Sequence, residues 1–257
     1  MNRYGLIGEK LGHSYSKLIH EKLADYTYDL IPLSKEDFTV FMENREFEAI
    51  NVTIPYKQAV LPYLDELSDS AKAIGAVNAI INKNGKLYGY NTDYLGFLYT
   101  LRQNNIKVSG QKVLIIGNGG AAKAVTAALR SLSPAELITV KYKEEPGTVT
   151  YEQAARFHSD ASLIVNTSPI GMYPNADAAP MDLSPYIHLE AVVDLIYNPS
   201  MTKLLAQAES MGIKAVNGMG MLVAQAKYAV ELFLDTEISD DVILPIVQDL
   251  FNFKLHQ

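Results

Sequence analysis

One lysine and one aspartate in the first half of this 257-residue chain have the residue types and positions for acid–base chemistry. Lys57 follows residues 51–55, where alternating apolar residues predict a strand that a proline ends. A helix beginning there has a positive N-terminal end, which disfavours a charged ammonium and suits a residue that exchanges a proton. Asp93 opens another predicted helix and could hold Lys57 through a charge-assisted hydrogen bond. The pair therefore predicts proton transfer to and from a hydroxyl group.

Uncharged hydrogen-bonding side chains gather where the neighbouring strands are predicted to end. A ligand rich in hydroxyl groups needs such donors and acceptors. Taken alone, each residue is equally consistent with an ordinary role as a helix cap, a surface lysine or a first-turn acid. We interpret His13 as a structural hydrogen-bonder rather than a catalyst. The neutral members of the group are Ser14, Ser16, Asn51, Thr53 and Asn78.

The sequence G-N-G-G-A-A at residues 117–122 has the spacing of a dinucleotide-binding loop. It follows an apolar strand and enters an alanine-rich helix, which is the context that the G-x-G-x-x-A pattern requires. Gly117 permits a tight turn, Gly119 lets the backbone approach a pyrophosphate, and Ala122 lets the helix pack closely on the strand. The free N–H groups at the helix N-terminus can then bind phosphates. A glycine-rich turn without a ligand is the alternative, and this context favours it less.

The end of the following strand bears on which nicotinamide dinucleotide is bound. An NAD site usually has an acidic residue about 20 positions after the glycine loop. Lys141 and Lys143 stand there instead, which favours the 2′-phosphate of NADP. Glu144 and Glu145 follow at once, so NAD stays an alternative, and all four charges are also consistent with a solvated loop.

Composition and charge narrow the class of protein. The net charge of -7 gives no general field that would attract nucleic acid or an anionic membrane. The chain has no cysteine, which excludes disulfides and thiolate metal sites, and no other metal cluster is evident. It shows no signal-type segment, and no run approaches the roughly 20 apolar residues that span a bilayer. We therefore expect a cytoplasmic protein with a small-molecule substrate; a homodimer stays open.

Alternating strand-like and helix-like segments predict an α/β protein with two domains. The dipeptide Asn84-Gly85 predicts a hairpin that adds antiparallel strands at the margin of a first, mostly parallel sheet. The second half restarts the alternation, with strands ending near 142, 167 and 197, and predicts a doubly wound sheet of Rossmann type. In the first half, strand-like segments occupy 4–8, 28–33 and 49–54, and a helix is predicted over 56–64.

These patterns also predict the domain boundaries. We expect a substrate-binding catalytic domain over 1–98 and an NAD(P)-binding Rossmann domain over 99–218. Further helices are predicted within 219–257. Ligands usually bind in the cleft between two such domains.

The order and spacing of eight motifs resemble those of the shikimate dehydrogenase family over the whole chain. The resemblance implies NADP-dependent, reversible reduction of 3-dehydroshikimate to shikimate, on the route to chorismate and the aromatic amino acids. It implies that Lys57 is the catalytic acid–base residue and Asp93 its partner. The motifs are HSYS (13–16), NVTIPYK (51–57), GAVN (75–78), YNTDYLG (90–96), GNGGAAKA (117–124), NTSPIGM (166–172), VVDLIYNP (192–199) and NGMGMLVAQA (217–226).

The resemblance further implies two sets of binding residues and no metal site. Those for the carboxylate and hydroxyl groups of the substrate would be Ser14, Ser16, Asn51, Thr53, Asn78, Tyr197 and Gln225. Leu195 and Gly218 would lie beside the nicotinamide, with Asp69 approaching it. With Lys141 and Lys143, which come from the charge pattern and not from the resemblance, the full cofactor set would be Asp69, Gly117, Asn118, Gly119, Gly120, Ala121, Lys141, Lys143, Leu195 and Gly218.

Three departures from the family's pattern limit what the resemblance implies. Lys17 replaces a proline, Ala79 replaces a threonine, and residues 141–143 (Lys-Tyr-Lys) replace the Asn-Arg-Thr clamp for the 2′-phosphate. Lysine lacks the planar fork of arginine, so the grip on that phosphate should be weaker or differently shaped. One alternative is therefore an NAD-preferring quinate/shikimate or aminoshikimate dehydrogenase. Another is a non-catalytic dinucleotide-binding sensor, which would not need the pair Lys57 and Asp93.

Overall fold

Two compact units make up the chain, and the computed structural model describes residues 4–12 and 14–254, except the side chains of 253 and 254. Unit 1 contains the chain up to Gly96 and from Leu222 onward. Unit 2 contains Phe97–Met221. His13 lies outside the described residues.

Unit 1 contains a mixed sheet of six strands: β1 (Tyr4–Gly8), β2 (Tyr28–Pro32), β3 (Ala49–Val52), β4 (Glu66–Leu67), β5 (Ala79–Lys83) and β6 (Lys86–Tyr90). Their order is β2-β1-β3-β5-β6-β4, in which β1 is parallel to β2 and β3. β5 is antiparallel to β3 and β6. Asn84 and Gly85 form the hairpin turn with φ of 54° and 85°, as such turns require. The predicted position at the margin was wrong, because the short β4 pairs outside β6.

Four helices in the described part of the chain lie between these strands: α1 (Ser16–Leu23), α2 (Lys35–Asn44), α3 (Tyr56–Ala59) and α4 (Asp69–Ile74). The next helix, α5 (Thr92–Gln103), begins in unit 1 and continues in unit 2. The predicted helix over 56–64 is interrupted, since α3 ends at Ala59 and a 3-10 turn follows over Leu61–Tyr63. Pro62 explains the break, because it has no N–H for an α-helical bond and disfavours helical geometry in the residue before it. Pro55 precedes α3 as its N-cap and is not its first residue.

Unit 2 contains six parallel strands: β7 (Lys112–Ile116), β8 (Glu136–Lys141), β9 (Thr148–Thr150), β10 (Leu163–Asn166), β11 (Ala191–Asp194) and β12 (Lys214–Val216). Their order, β12-β11-β10-β7-β8-β9, runs outward from β7 and then returns to its other side. This is the doubly wound topology, and the predicted fold class is confirmed. Three helices belong to this unit: α6 (Gly120–Ser131), α7 (Tyr151–Phe157) and α8 (Lys203–Ser210).

The last two helices are α9 (Met219–Leu234), which begins in unit 2 and continues in unit 1, and α10 (Ile243–Lys254). In unit 1, β1 is buried on both faces. Ile7 packs in a cluster with Phe38 of α2, whereas Leu6 packs with Ala229 and Phe233 of α9. No helix among the described residues is long and apolar enough to cross a membrane.

A buried aspartate ends β11 earlier than the sequence predicts. Asp194 is fully buried, and one of its carboxylate oxygens accepts the Ile196 N–H at 3.1 Å and the Asn166 amide at 3.0 Å. The other oxygen accepts the Thr202 hydroxyl at 2.8 Å. The bond to Ile196 turns the backbone away from the sheet, so residues 195–197 form a loop and not the strand end that was predicted.

Burial raises the pKa of Asp194 to about 6, against a smaller opposing effect of its hydrogen bonds. Because the pKa is higher in the folded than in the unfolded chain, the stability contribution is complete below pH 4 and is lost as the pH rises through 6. The isosteric Asp194→Asn cannot ionise. We expect its free energy of unfolding, relative to the wild type, to rise between pH 4 and 7 by about 3 kcal/mol at most.

Urea unfolding across this pH range measures that difference. Asp177→Asn, at an exposed carboxylate of the same unit, is the control and should differ from the wild type by a constant amount. A pH-independent difference for Asp194→Asn would contradict the prediction.

Candidate active site

The polar residues predicted in the first half of the chain come together at one edge of the unit 1 sheet. The parallel strands β1 and β3 both end at this edge. The antiparallel β5 begins there, and β6 ends there, since Ala79 pairs with Asn51 on one side and with Tyr90 on the other. The segments that carry Thr53, Asn78 and Asp93 therefore leave the sheet at the same place. Strand direction alone accounts for this convergence.

Lys57 and Asp93 form a close ion pair at this edge. The Lys57 Nζ donates to the Asp93 Oδ2 at 2.6 Å, and their side chains are 19% and 12% exposed. Lys57 lies in the first turn of α3, and Asp93 lies in the first turn of α5. The pair is thus partly shielded from water and still open to a ligand, which is the environment that proton exchange with a bound hydroxyl needs.

A buried network of neutral groups fixes the position of this pair. The Asn51 amide donates to the Asn78 carbonyl at 3.0 Å, and Val52 N–H donates to the same oxygen at 2.9 Å. The side-chain amide of Asn78 contacts Thr92 twice, accepting its N–H at 2.7 Å and donating to its hydroxyl at 3.1 Å. The network therefore links β3 and β5 to the first residue of α5, directly before Asp93.

The other predicted substrate residues of unit 1 lie in separate local structures. The Ser14 hydroxyl accepts the Ser16 N–H at 3.2 Å, which forms a tight turn at the start of α1. Thr53 follows β3, and its methyl group lies so close to Gly8 that a side chain there would clash at 2.6 Å. Gln225 lies half-buried in α9 and donates to the Leu222 carbonyl at 2.8 Å. Within the described ranges, the serines make no direct hydrogen bond to the amide network.

Lys17, which replaces the family's proline, bonds within α1 and to β2. Its Nζ donates to the Glu21 carboxylate and to the Tyr28 carbonyl, each at 2.7 Å. The same carboxylate accepts the Tyr28 N–H at 3.2 Å. The ammonium of Lys17 is therefore already bonded within unit 1 and is not a free cation beside Ser16.

The glycine loop of unit 2 lies where a phosphate-binding loop is expected. It joins β7 to α6 beside β10, at the point where the strand order reverses. Gly117 has a φ of +94°, which a side chain would strain. Gly119 and Gly120 have ordinary φ and open space where a side chain would be, so their absent side chains leave the backbone accessible. Ala122 is buried, as close helix packing requires. These features fit a pyrophosphate on the free N–H groups of α6.

Two predicted nicotinamide residues meet in unit 2. A side chain on Gly218 would lie 2.0 Å from the Leu195 carbonyl oxygen, so only glycine fits there. The Gly218 N–H also donates to the Ile196 carbonyl at 3.0 Å. Tyr197 follows in the same loop and is half-buried. The buried carboxylate of Asp194, a residue without a predicted role, holds this loop.

The charged residues predicted to bind the cofactor differ in exposure and in whether they form an ion pair. Lys141 ends β8 and forms an ion pair with Glu145, and its side chain is only 17% exposed. Lys143 is exposed and has no ion pair within the described part of the chain. Asp69, in unit 1, is fully exposed at the start of α4, 3.6 Å from Lys72. Among residues 4–12 and 14–254, no group of three or more acidic, histidine or cysteine residues could hold a metal ion.

Tyr28 contacts the amide network although its sequence pattern predicts only an ordinary strand residue. It is fully buried, and its hydroxyl donates to the Asn51 side chain at 2.7 Å. A buried tyrosine needs a partner for its hydroxyl, so a tyrosine at the start of a strand near the polar edge was an available signal.

Comparison with known proteins identifies the family. A sequence profile of the shikimate dehydrogenase substrate binding domain matches residues 6–80. Shikimate dehydrogenase (NADP(+)) of Clostridium beijerinckii is 38% identical, with 93% of this chain and 94% of that protein covered.

Solved structures agree with this assignment. Shikimate 5-dehydrogenase of Thermus thermophilus, in complex with NADP(H) and shikimate, has a TM-score of 0.86 and 28% identity, with 97% of this chain and 99% of that chain covered. Quinate dehydrogenase of Corynebacterium glutamicum, in complex with NAD, has a TM-score of 0.84 and 27% identity, with 94% and 96% covered. The similarity spans nearly the full length of each protein and confirms the resemblance that the motifs indicate: the chain belongs to the shikimate dehydrogenase family.

Proposed function

We propose that this protein is an NADP-dependent shikimate dehydrogenase that reversibly reduces 3-dehydroshikimate to shikimate, in the chorismate and aromatic amino acid pathway. The observation that carries the proposal is the Lys57–Asp93 ion pair, with 2.6 Å between Nζ and Oδ2, at an edge lined by neutral amides and hydroxyls. Its relatives are shikimate dehydrogenases that use NADP. NADP(H), when bound, supplies or accepts the hydride.

Within this proposal, Lys57 moves the proton. In the reducing direction, its ammonium donates a proton to the carbonyl oxygen of 3-dehydroshikimate as that oxygen becomes an alkoxide. In the reverse direction, the neutral amine accepts the proton of the same hydroxyl. Asp93 orients Lys57 and stabilises its charged form through the charge-assisted bond. The neutral donors Ser14, Ser16, Asn51, Thr53, Asn78, Tyr197 and Gln225 would bind the remaining carboxylate and hydroxyl groups.

We assign the domains and the remaining cofactor residues on the same basis. Residues 1–98 would bind the substrate, 99–218 would bind the cofactor, and the helices of 219–257 would complete the first domain. The open backbone of Gly117–Ala121, with Asn118 among them, would hold the pyrophosphate. Leu195, Gly218 and Asp69 would adjoin the nicotinamide.

An NAD-preferring quinate or shikimate dehydrogenase is the second candidate, and one observation favours it. Lys141 is already paired with Glu145, so part of the positive charge that would attract a 2′-phosphate is neutralised within the chain. A quinate dehydrogenase with NAD is also among the structural relatives. Kinetics with both cofactors on both substrates decide between the two. A higher kcat/KM for quinate with NAD+ than for shikimate with NADP+ would overturn our proposal.

We further propose that the enzyme acts in the cytoplasm on a small molecule, without a nucleic-acid or membrane partner. The net charge of -7 supports this, because it provides no basic surface field. A homodimer stays a prediction that light scattering would test.

Lys57→Ala tests the catalytic role. Removing the amine removes the proton donor, whereas the neutral binding groups stay in place. We expect kcat to fall about 100-fold to 10,000-fold and the KM for shikimate to change less than about threefold. Steady-state kinetics in both directions measure this, with the exposed Lys35→Ala as control. Retention of wild-type kcat by Lys57→Ala would refute the role of Lys57. Wild-type protein that binds cofactor but never turns over would instead favour the sensor.

Lys143→Ala tests the recognition of the cofactor's 2′-phosphate. Since Lys143 is exposed and Lys141 is paired with Glu145, we expect Lys143 to supply most of the attraction to this group. The dissociation constant for NADP+ should rise about tenfold, and that for NAD+ should change less than about twofold. Titration calorimetry on the apo-protein measures both, with Lys141→Ala giving the smaller effect. An equal loss for the two dinucleotides would show that Lys143 does not contact this phosphate.

A further inference from the structure

The side chain of Asn51 has only one orientation in which its hydrogen bonds are satisfied. Its Nδ2 lies 3.0 Å from the Asn78 carbonyl, which can only accept a hydrogen bond. If the amide were rotated by 180°, two oxygens would face each other there. The Oδ1 must therefore point the other way, toward the Tyr28 hydroxyl at 2.7 Å, and that hydroxyl must donate.

The hydroxyl of Tyr28 keeps its proton and so remains a hydrogen-bond donor. It is fully buried, and burial raises the pKa of its hydroxyl well above the usual value, so the proton stays on the oxygen. His20 stacks on its ring with 3.9 Å between centroids. Burial lowers the pKa of His20 to about 3, so this neighbour is neutral at physiological pH. The ring of Tyr28 thus stacks on an uncharged neighbour.

The backbone of Tyr28 is held from α1 as well. The Lys17 Nζ donates to its carbonyl, and the Glu21 carboxylate accepts its N–H. Lys17 stands where the family has a proline, and proline has no group that could make this contact. Lys17, a departure from the family's pattern, therefore helps to hold the backbone of Tyr28, whose side chain contacts Asn51.

We infer that Tyr28 is a positioning residue for the substrate. Its hydroxyl holds the Asn51 amide in the orientation that leaves one Nδ2 hydrogen available to an oxygen of the substrate. The inference rests on the proposed function, because it assigns the substrate contact to Asn51. It adds a residue that touches neither the substrate nor the cofactor and acts only through Asn51.

Tyr28→Phe removes the donor and keeps the buried ring. The Asn51 oxygen then loses its partner, and only the bond from its Nδ2 to the Asn78 carbonyl still holds the amide. We expect the KM for shikimate to rise about tenfold, while kcat changes less than threefold and the KM for NADP+ is unchanged. Tyr26→Phe is the matched control, since Tyr26 belongs to the same aromatic cluster and its hydroxyl bonds to His20 and not to Asn51. It should change the KM for shikimate less than twofold.

Glu21→Ala provides a second variant on the protein surface, in case Tyr28→Phe does not fold. It removes the acceptor of the Tyr28 N–H and the ion-pair partner of Lys17, and the KM for shikimate should rise about threefold. Lys22→Ala is its control, because the side chain of Lys22 pairs with Asp249 instead. A Tyr28→Phe enzyme with the wild-type KM, or an equal rise in its control, would overturn the inference alone. Wild-type protein without activity on shikimate would overturn the proposed function and the inference with it.

Discussion

The polar edge of unit 1 depends on a group of buried hydrogen bonds that can be satisfied in one arrangement only. The backbone carbonyl of Asn78 accepts two N–H groups from the β3 segment. The side chain of Asn78 bonds to the N–H and the hydroxyl of Thr92. A buried polar group without a partner costs about 1–3 kcal/mol, so β3, β5 and α5 cannot shift independently of one another. Because Thr92 directly precedes Asp93, the same bonds fix the carboxylate that meets Lys57. The ion pair itself stays partly exposed, and neutral groups behind it set its position.

Unit 2 contains a similar buried hydrogen-bond network, which includes one charged residue, Asp194. The Asn166 amide donates to Asp194, and its oxygen accepts the N–H and the hydroxyl of Ser168. One side chain thus joins the loops that follow β10 and β11. Asp194 adds a charge to this arrangement, and burial penalises that charge as the raised pKa indicates. The loop beside Gly218 is therefore held by hydrogen bonds that oppose the desolvation penalty of a buried charge, whereas the unit 1 network consists of neutral groups.

The parts of the fold that could be predicted are those set by local sequence. Asn84-Gly85 determines a turn, Gly117 needs its positive φ, and the apolar run of β7 needs burial on both faces. The convergence of Lys57 and Asp93 could also be predicted, because strand direction brings segments far apart in the chain to one edge. The ending of β11 could not be, since it depends on bonds from Asp194 to Asn166 and Thr202 on other segments. Tyr28 was missed for the same reason: its partner is 23 positions away, and strand periodicity treats it as an apolar residue.

The charged residues at the end of β8 and directly after it show why the preference for NADP or NAD was the hardest feature to predict. Two lysines favour NADP and two glutamates favour NAD, so their sequence alone gives opposing indications. The structure pairs Lys141 with Glu145, four residues apart, and removes one charge from each side of the comparison. What stays is the exposed Lys143 next to the exposed Glu144, and the field of such charges is screened by salt over about 10 Å. An arginine clamp would add directional hydrogen bonds to that field. In our proposal, discrimination between the two dinucleotides would rest on a weak and nondirectional interaction, while the substrate would meet groups held in place by the buried network.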